Sequence, residues 1–372
     1  MNKLYCRPSH YLQSAVRCKR VLSNETASSS MKKTPSMVKI LSELSKARLS
    51  ALVVITSGAG FFCAGAPILW DVMAMTCIGT GLCAASASTF NQVIERDRDA
   101  QMNRTKLRPL PAGHISPMNA TLWGVAAGAM GGSMLSVYAG GAVASLGLFN
   151  IFLYAGPYTL SKPKHEVNTW IGSLVGAIPP VMGWMAAMHV KPEISDNIPK
   201  TINTNVSSMQ TLDSVVPASE SSVPLQNLTI QCTEMMSNPN IQNPALMATI
   251  LFLWQFPHFF ALSWLHRDDY GKGGFEMVAC NDSSGVRSAK LIRDYTLLLS
   301  TIPYISTYAG VTSSMFAVEG TLLNLYLFYL TTVFSKRQSK ANARRIFLTS
   351  LWYLPLLLGK LNDCFKDFTF LS

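Results

Sequence analysis

CIGTGLCAASASTF (77–90) contains no charged residue and runs straight into NQVIERDRDAQMNRTKLRPLPAG (91–113), which holds three acids and five bases. After Pro117 the chain is almost charge-free again. An apolar run of this kind reads as a helix in lipid, because a span of about 20 apolar residues crosses a hydrocarbon core of ~30 Å. The charged patch between two such runs then lies at the membrane face, where it needs water, a ligand or a partner.

The same alternation recurs along the 372 residues, of which 49% are hydrophobic and 14% charged. An ordinary soluble domain carries roughly 25% charged residues. The pattern predicts an all-α, polytopic membrane protein with about nine spans near 49–70, 72–93, 118–138, 141–160, 169–188, 245–265, 295–316, 318–335 and 346–360. The net charge of +11 is first a matter of topology. Lysines and arginines crowd residues 31–48 and the loops after the second, fourth, sixth and eighth spans, while the opposite side has few. This is the bias that orients membrane proteins, and it argues against a nucleic-acid partner.

Two segments fall outside the bundle pattern. MNKLYCRPSHYLQSAVRCKRVLSNETASSS (1–30) is basic, serine-rich and nearly free of acids, the make-up of a mitochondrial transit peptide. Residues 1–35 are therefore expected to be a leader, and the basic side of the membrane to be the matrix side of the inner membrane. Residues 191–243 are rich in Ser, Thr, Asn and Pro without helical periodicity and are expected to form a disordered insertion. They separate helices 1–5 (36–190) from helices 6–9 (244–360), and 361–372 reads as a tail. The eight cysteines have no CxxC or zinc-type spacing, so neither disulfides nor a thiolate metal site is expected.

Inside the spans, Thr56/Gly60, Gly124/Gly128 and Gly172/Gly176 place small residues four apart, which lets helices approach closely in lipid. Pro179-Pro180 and Pro257 are expected to kink their helices. The chemistry is at the ends. Asn91, Glu95 and Asp99 recur every fourth residue. A helix continuing past its membrane end would stack them on one face. Two carboxylates and an amide oxygen form a hard-oxygen set suited to Mg²⁺, which takes one or two carboxylates and completes its shell with water and substrate phosphates. Arg104, Lys106 and Arg108 follow directly as anion donors. HRDDYGKGGFEM (266–277) ends a later span on the same side and supplies Asp268, Asp269, Tyr270 and Lys272. Lys162 faces the same compartment. Salt bridges within a charged interfacial loop explain either cluster alone. Two acidic clusters beside bases at one membrane face point to Mg²⁺ and a diphosphate.

These motifs resemble the UbiA intramembrane prenyltransferases. Asn91-xxx-Glu95-xxx-Asp99 followed by MNRTKLRPLPAG (102–113) is similar to their first acidic motif, and in particular to the protohaem IX farnesyltransferase branch. TWIGSLVGAIPPVMGW (169–184), WQFPHFFALSWLHRDDYGKGG (254–274) and ARRIFLTSLWYLP (343–355) extend the likeness over about 36–190 and 244–360. Glu95 stands where the superfamily pattern usually has Asp, and mitochondrial members of the haem branch tend to carry Glu there.

The resemblance implies nine helices around a central cavity and Mg²⁺ as cofactor, held by Asn91, Glu95, Asp99, Asp268 and Asp269. It implies diphosphate contacts from Arg104, Lys106, Arg108, Lys162 and Lys272. Farnesyl diphosphate and protohaem IX are the implied substrates, and haem A synthase or other cytochrome oxidase assembly proteins the implied partners. His258 and Tyr270 are the haem candidates. A histidine deep in a span is a functional candidate, against the plainer reading of a hydrogen bond to a carbonyl freed by Pro257. Trp254, Phe256, Phe259, Phe260 and Trp264 read first as packing and only second as a pocket lining. Two other classes compete: a related transferase for an aromatic acceptor in quinone synthesis, and an ion-coupled transporter. A transporter places its acids near mid-membrane, whereas here both acidic motifs sit at one face.

Overall fold

The computed structural model describes residues 35–65, 68–196 and 239–369. The leader and the interior of the 191–243 segment lie outside these. Thirteen helices follow in order: α1 Met37–Leu44, α2 Ala47–Cys63, α3 Trp70–Ile94, α4 Arg96–Asp99, α5 Pro117–Tyr138, α6 Gly141–Ser161, α7 Asn168–Asp196, α8 Pro239–Leu265, α9 Arg267–Lys272, α10 Val278–Asn281, α11 Val286–Tyr308, α12 Ser314–Lys336 and α13 Lys340–Thr369. No strand occurs among the described residues.

The nine long helices match the nine expected segments, but the number of crossings is smaller by composition. Six are long and apolar enough to span a membrane, and the pair α1–α2, bent by 57°, makes a seventh. The charged turns of α11 (Arg287, Lys290, Arg293, Asp294) and α13 (Arg344, Arg345, Lys360) keep those two below that mark. Helix also extends beyond the expected boundaries: α7 continues to Asp196, α8 begins at Pro239 and α13 runs on to Thr369. Pro180 and Pro257 lie inside helices that are not interrupted.

The helices form two groups, each with its own core. α3, α5, α6 and α7 enclose Leu135, Val143, Met182 and Ala186. α8, α11, α12 and α13 enclose Phe256, Phe260, Phe316, Phe334 and Tyr353. The seam between the groups is the pairing of α7 with α8, while α13 touches α2 only lightly on the other side. The small residues mark the tight crossings, as expected. A Cβ at Gly124 would lie 3.1 Å from the Phe90 ring, and one at Gly128 2.8 Å from Ser86 Oγ. Ser86 Oγ donates to the Gly124 carbonyl at 2.7 Å, so α3 and α5 approach closely enough to bond side chain to backbone.

Candidate active site

Helix α3 does not continue through the acidic motif. Its last residue is Ile94, and Glu95 (φ −88°, ψ 3°) turns the chain into the short α4. Asn91, Glu95 and Asp99 therefore sit on either side of a break rather than on one straight face, and all three are buried. Asn91 and Glu95 meet partners from distant elements, and Asp99 meets a cation from the loop that follows it. Asn91 Nδ2 donates to Thr159 Oγ1 at 2.9 Å, and its Oδ1 accepts from Lys46 Nζ at 2.6 Å. Glu95 lies 2.8 Å from Lys162 Nζ, and Asp99 Oδ2 is 2.6 Å from Arg108.

The route by which Lys46 arrives is a matter of backbone. Gln92 Nε2 on α3 donates to the carbonyls of Glu43 and Leu44 and so pins the end of α1. Lys46, at the break before α2, takes a left-handed conformation (φ 46°), the one non-glycine residue among those described to do so. That geometry costs an L-residue about 1–2 kcal/mol, which the contacts of its ammonium with Asn91 and Tyr154 (3.2 Å) offset.

Helix α8 ends at Leu265, and after His266 the chain turns into α9. Asp269 accepts from the backbone N–H groups of Arg104 (3.0 Å) and Asn103 (3.3 Å). The Arg104 guanidinium donates to Tyr270 Oη at 3.2 Å and lies over its ring. Arg98 donates to the carbonyls of Gly273 and Gly274, 3.0 Å each. The Glu276 N–H donates to the Lys162 carbonyl at 2.7 Å. The two acidic motifs are thus stitched into one site at one end of the bundle. Gly274 makes this possible: at φ +64° a side chain would be strained, and its Cβ would lie 2.9 Å from Arg98.

Not every sequence-predicted residue joins this centre. Asp268 points outward, 65% exposed, and pairs with Lys340 (2.7 Å) and Arg267 (3.7 Å). The Lys340 hydrogen bond holds its carboxyl below the usual range. Lys272 is exposed, as is Lys106, whose Nζ is 3.2 Å from Asn103 Oδ1. Lys162 is buried just beyond the end of α6. Burial alone would lower its pKa, but the Glu95 carboxylate reverses this and holds it above the ordinary lysine value, so it stays cationic. Lys46, Arg98, Tyr154 and Thr159 were not singled out from sequence. Nothing local marks them, since each reaches the site through the break before α2, through α4 or through the last turns of α6.

Among the described residues no cluster of three or more His, Cys, Asp or Glu side chains converges to hold a metal by itself. The donor set nevertheless suits a hard cation. Asp99 Oδ1 is buried without a hydrogen-bond partner, while Glu95 Oε1 faces the Lys162 ammonium at 2.8 Å. Buried carboxylate oxygens left open are costly unless something completes them. One or two carboxylates with water and phosphate oxygens is the usual Mg²⁺ arrangement.

A small cavity reaches the site, and a larger groove borders that cavity. The cavity, of about 70 Å³ between α2, α3, α6 and α7, is lined by Val53, Ser88, Asn150 and Tyr154 among others. Tyr154 links it to Lys46 and hence to Asn91. The larger groove, of about 460 Å³, runs between α2, α8 and α13, where α13 touches α2 only lightly. Leu49, Val53 and Gly176 border both. Of the five aromatics weighed for a pocket, Trp254 and Phe259 line the groove, whereas Phe256, Phe260 and Trp264 are buried in the core. His258 also lines the groove. Its Nδ1 is 2.8 Å from Ser350 Oγ, not bonded to a freed carbonyl.

The UbiA prenyltransferase family model matches residues 52–352. A mitochondrial protoheme IX farnesyltransferase of Arabidopsis thaliana is 36% identical over 321 residues, covering 86% of this chain and 63% of the relative. The Homo sapiens protein of the same name is 35% identical over 325 residues, covering 87% and 62%. The chain thus spans slightly less than two thirds of the length of these relatives. Among solved structures, a digeranylgeranylglyceryl phosphate synthase superposes with a TM-score of 0.63 at 10% identity, covering 89% of this chain and 99% of that one. A UbiA homolog from Archaeoglobus fulgidus bound to DMAPP and Mg²⁺ superposes with a TM-score of 0.54 at 12% identity, covering 86% and 98%. At such identities the likeness concerns the fold. The fold, the paired acidic motifs and the match over most of the sequence agree: this chain belongs to the UbiA prenyltransferase family.

Proposed function

We propose that the chain transfers the farnesyl group of farnesyl diphosphate to a vinyl group of protohaem IX, giving haem O on the path to haem A. The observation that carries this reading is the convergence of Glu95, Asp99 and Asp269 with Lys162, Arg108 and Arg104 at one end of an apolar bundle. The chemistry needs both halves of that site. A diphosphate leaves readily only when its developing charge is neutralised, and an allylic cation survives only where water is scarce.

The residues divide the work. Glu95, Asp99 and Asp269, with the Asn91 amide beside them, would hold Mg²⁺, which supplies charge neutralisation to the leaving diphosphate. Lys162, kept cationic, and Arg108 would share their charge between these carboxylates and the diphosphate oxygens. Arg104, Lys106 and Lys272 add donors on the solvent side. The carbon–oxygen bond of the donor breaks and diphosphate departs. The allylic cation then bonds to the terminal carbon of the vinyl group, and water adds to the cation left behind, losing a proton to give a hydroxyethylfarnesyl side chain. Asp268, engaged with Lys340 at the surface, is assigned to the rim.

The relatives' mitochondrial names and the crowding of bases at the acidic-motif end support a multi-pass protein of the mitochondrial inner membrane with this site facing the matrix. A product of such low solubility suits hand-over within the membrane to haem A synthase or other cytochrome oxidase assembly proteins.

The test is product mass. The detergent-solubilised chain is incubated with farnesyl diphosphate, protohaem and Mg²⁺, with and without chelator, and analysed by liquid chromatography–mass spectrometry. A chelator-sensitive haem heavier by one farnesyl group and one hydroxyl group is the expected product. Prenylation of 4-hydroxybenzoate with no haem product would keep the fold and site and overturn the acceptor.

A further inference from the structure

The small cavity between α2, α3, α6 and α7 is lined by two polar side chains that no other described residue engages. Asn150, inside α6, has its amide oxygen buried without a hydrogen-bond partner. Ser88, on α3, is buried on the same wall, and its hydroxyl has no partner among the described residues. The other hydroxyls there are accounted for. Ser50 Oγ donates to the Ser45 carbonyl at 2.8 Å, Thr80 Oγ1 is 3.4 Å from Ser57 Oγ, and Tyr154 Oη accepts from Lys46. A buried amide oxygen left open is costly, so the pair calls for a polar guest. That guest is small. A cavity of about 70 Å³ is too small for a farnesyl chain but has room for a few waters, each of which needs about 10–15 Å³ and at least two polar partners.

The depth of the pair follows from its two helices. Asn150 is four residues before Tyr154, and Ser88 is three before Asn91. Those spacings put each pair on one helix face about one turn apart. Tyr154 and Asn91 are joined through the Lys46 ammonium, at 3.2 and 2.6 Å. Asn150 and Ser88 therefore form the next layer down, one turn further from the acidic-motif end. The chemistry needs water near that level. The reacting carbon of the donor is bonded to a diphosphate oxygen, so with the diphosphate at Glu95 and Asp99 it lies just inside the bundle. Once that carbon has bonded to the terminal vinyl carbon, the new cation sits on the inner vinyl carbon. This is three bonds from the place of the diphosphate oxygen, which is less than one helical turn of about 5.4 Å.

We propose that Asn150 and Ser88 are positioning residues that hold the water which adds to this second cation. The inference rests on the farnesyl-transfer reading above and deepens it. The Asn150 amide oxygen accepts one proton of the water, and the Ser88 hydroxyl donates to one of its lone pairs. The other lone pair is left to form the bond to carbon. The oxygen then carries the positive charge and sheds a proton to the released diphosphate, the base that the first step liberates. A water fixed by two side chains also suits a bundle that must keep bulk solvent from the allylic cation. Where no water is held, the same cation ends by losing a proton from the adjoining CH₂. The product is then an alkene, lighter than the hydroxylated haem by one water.

The experiment is the product assay on the full chain in detergent, with hydroxylated and dehydrated haems resolved by mass and diphosphate release measured in parallel. The wild type is expected to give the hydroxylated haem, with its new oxygen drawn from isotope-labelled water. Asn150→Leu, similar in volume, should lower the ratio of hydroxylated to dehydrated product by about tenfold, the effect of one good hydrogen bond, while diphosphate is still released. Ser88→Ala should shift the ratio in the same direction. A ratio unchanged from wild type in both variants overturns the water site, even where turnover falls. Ser88→Ala removes a single atom from the cavity wall, so where Asn150→Leu does not fold, an unchanged ratio in Ser88→Ala alone overturns it. A wild type that forms no prenylated haem overturns the farnesyl-transfer reading itself, which separates the two failures.

Discussion

The buried pair between Lys162 and Glu95 offers the sharpest quantitative test of how this site is built. Their side chains are 11% and 6% exposed and 2.8 Å apart, so solvent screens them little and the small values typical of surface pairs do not apply. Lys162→Met removes the cation and leaves a carboxylate stranded in the bundle, at a cost of about 3–5 kcal/mol. The backbone bond from Glu276 N–H to the Lys162 carbonyl survives the substitution, so the loss reports on the side chain. Adding Glu95→Gln removes the stranded charge and should recover most of the stability, because replacing both members of a buried pair with neutral groups is often nearly neutral. Activity should return in neither variant.

The pH dependence follows the same pair. The folded pKa of Lys162 is raised, so its contribution is present in full below the unfolded lysine value of about 10.4 and is lost only as pH rises through the folded value. The wild type should therefore weaken in strong alkali by an increment absent from Lys162→Met. Denaturant unfolding in micelles, with diphosphate release measured alongside, checks each statement. A double variant no more stable than Lys162→Met, or a single variant as stable as wild type, would refute the account of a buried pair.

Two further substitution sets are read from the same geometry. Asp99→Ala and Asp269→Ala should each lower product formation by ~10²-fold or more, by analogy with the loss of a transition-state charge stabiliser. Asp268→Asn, at the exposed Lys340 pair, should leave turnover within a few-fold of wild type, and the reverse ranking in a single-turnover assay would reject the assignment of Asp268 to the rim. Gly274→Ala should destabilise by ~1 kcal/mol or more, since alanine disfavours positive φ and its Cβ would press on Arg98. An unchanged thermal midpoint with full activity would show that the stitch between the motifs tolerates a side chain there.

Much of the bundle was legible because its signals are local. Apolar runs, the distribution of lysine and arginine and the small residues four apart each depend on a short window of sequence, and helices in lipid satisfy their backbone within that window. The acidic motifs were legible for the same reason: buried charge at a membrane face is costly unless used, and Asn91, Glu95 and Asp269 are in fact held in contacts between distant elements, with Asp99 held by Arg108 of the adjoining loop. The weak points of the sequence reading were boundaries. The expected continuous face through Asp99 gave way to a break at Glu95, across which Glu95 meets Lys162 and Asp99 meets Arg108.

The amino-acid sequence by itself determined an all-helical chain, the identity of its charged ends and the carboxylate and amide groups gathered there. Only the tertiary structure decided that Lys46 reaches Asn91 across 45 residues, that Asp269 rather than Asp268 meets the first motif, and that α2, α8 and α13 leave a groove open at His258. Composition tells a helix that it must be buried or lipid-facing. It does not say against which partner, because the energy of packing is shared among side chains far apart in the chain, and one helix face can be met by several others until all of them are placed together.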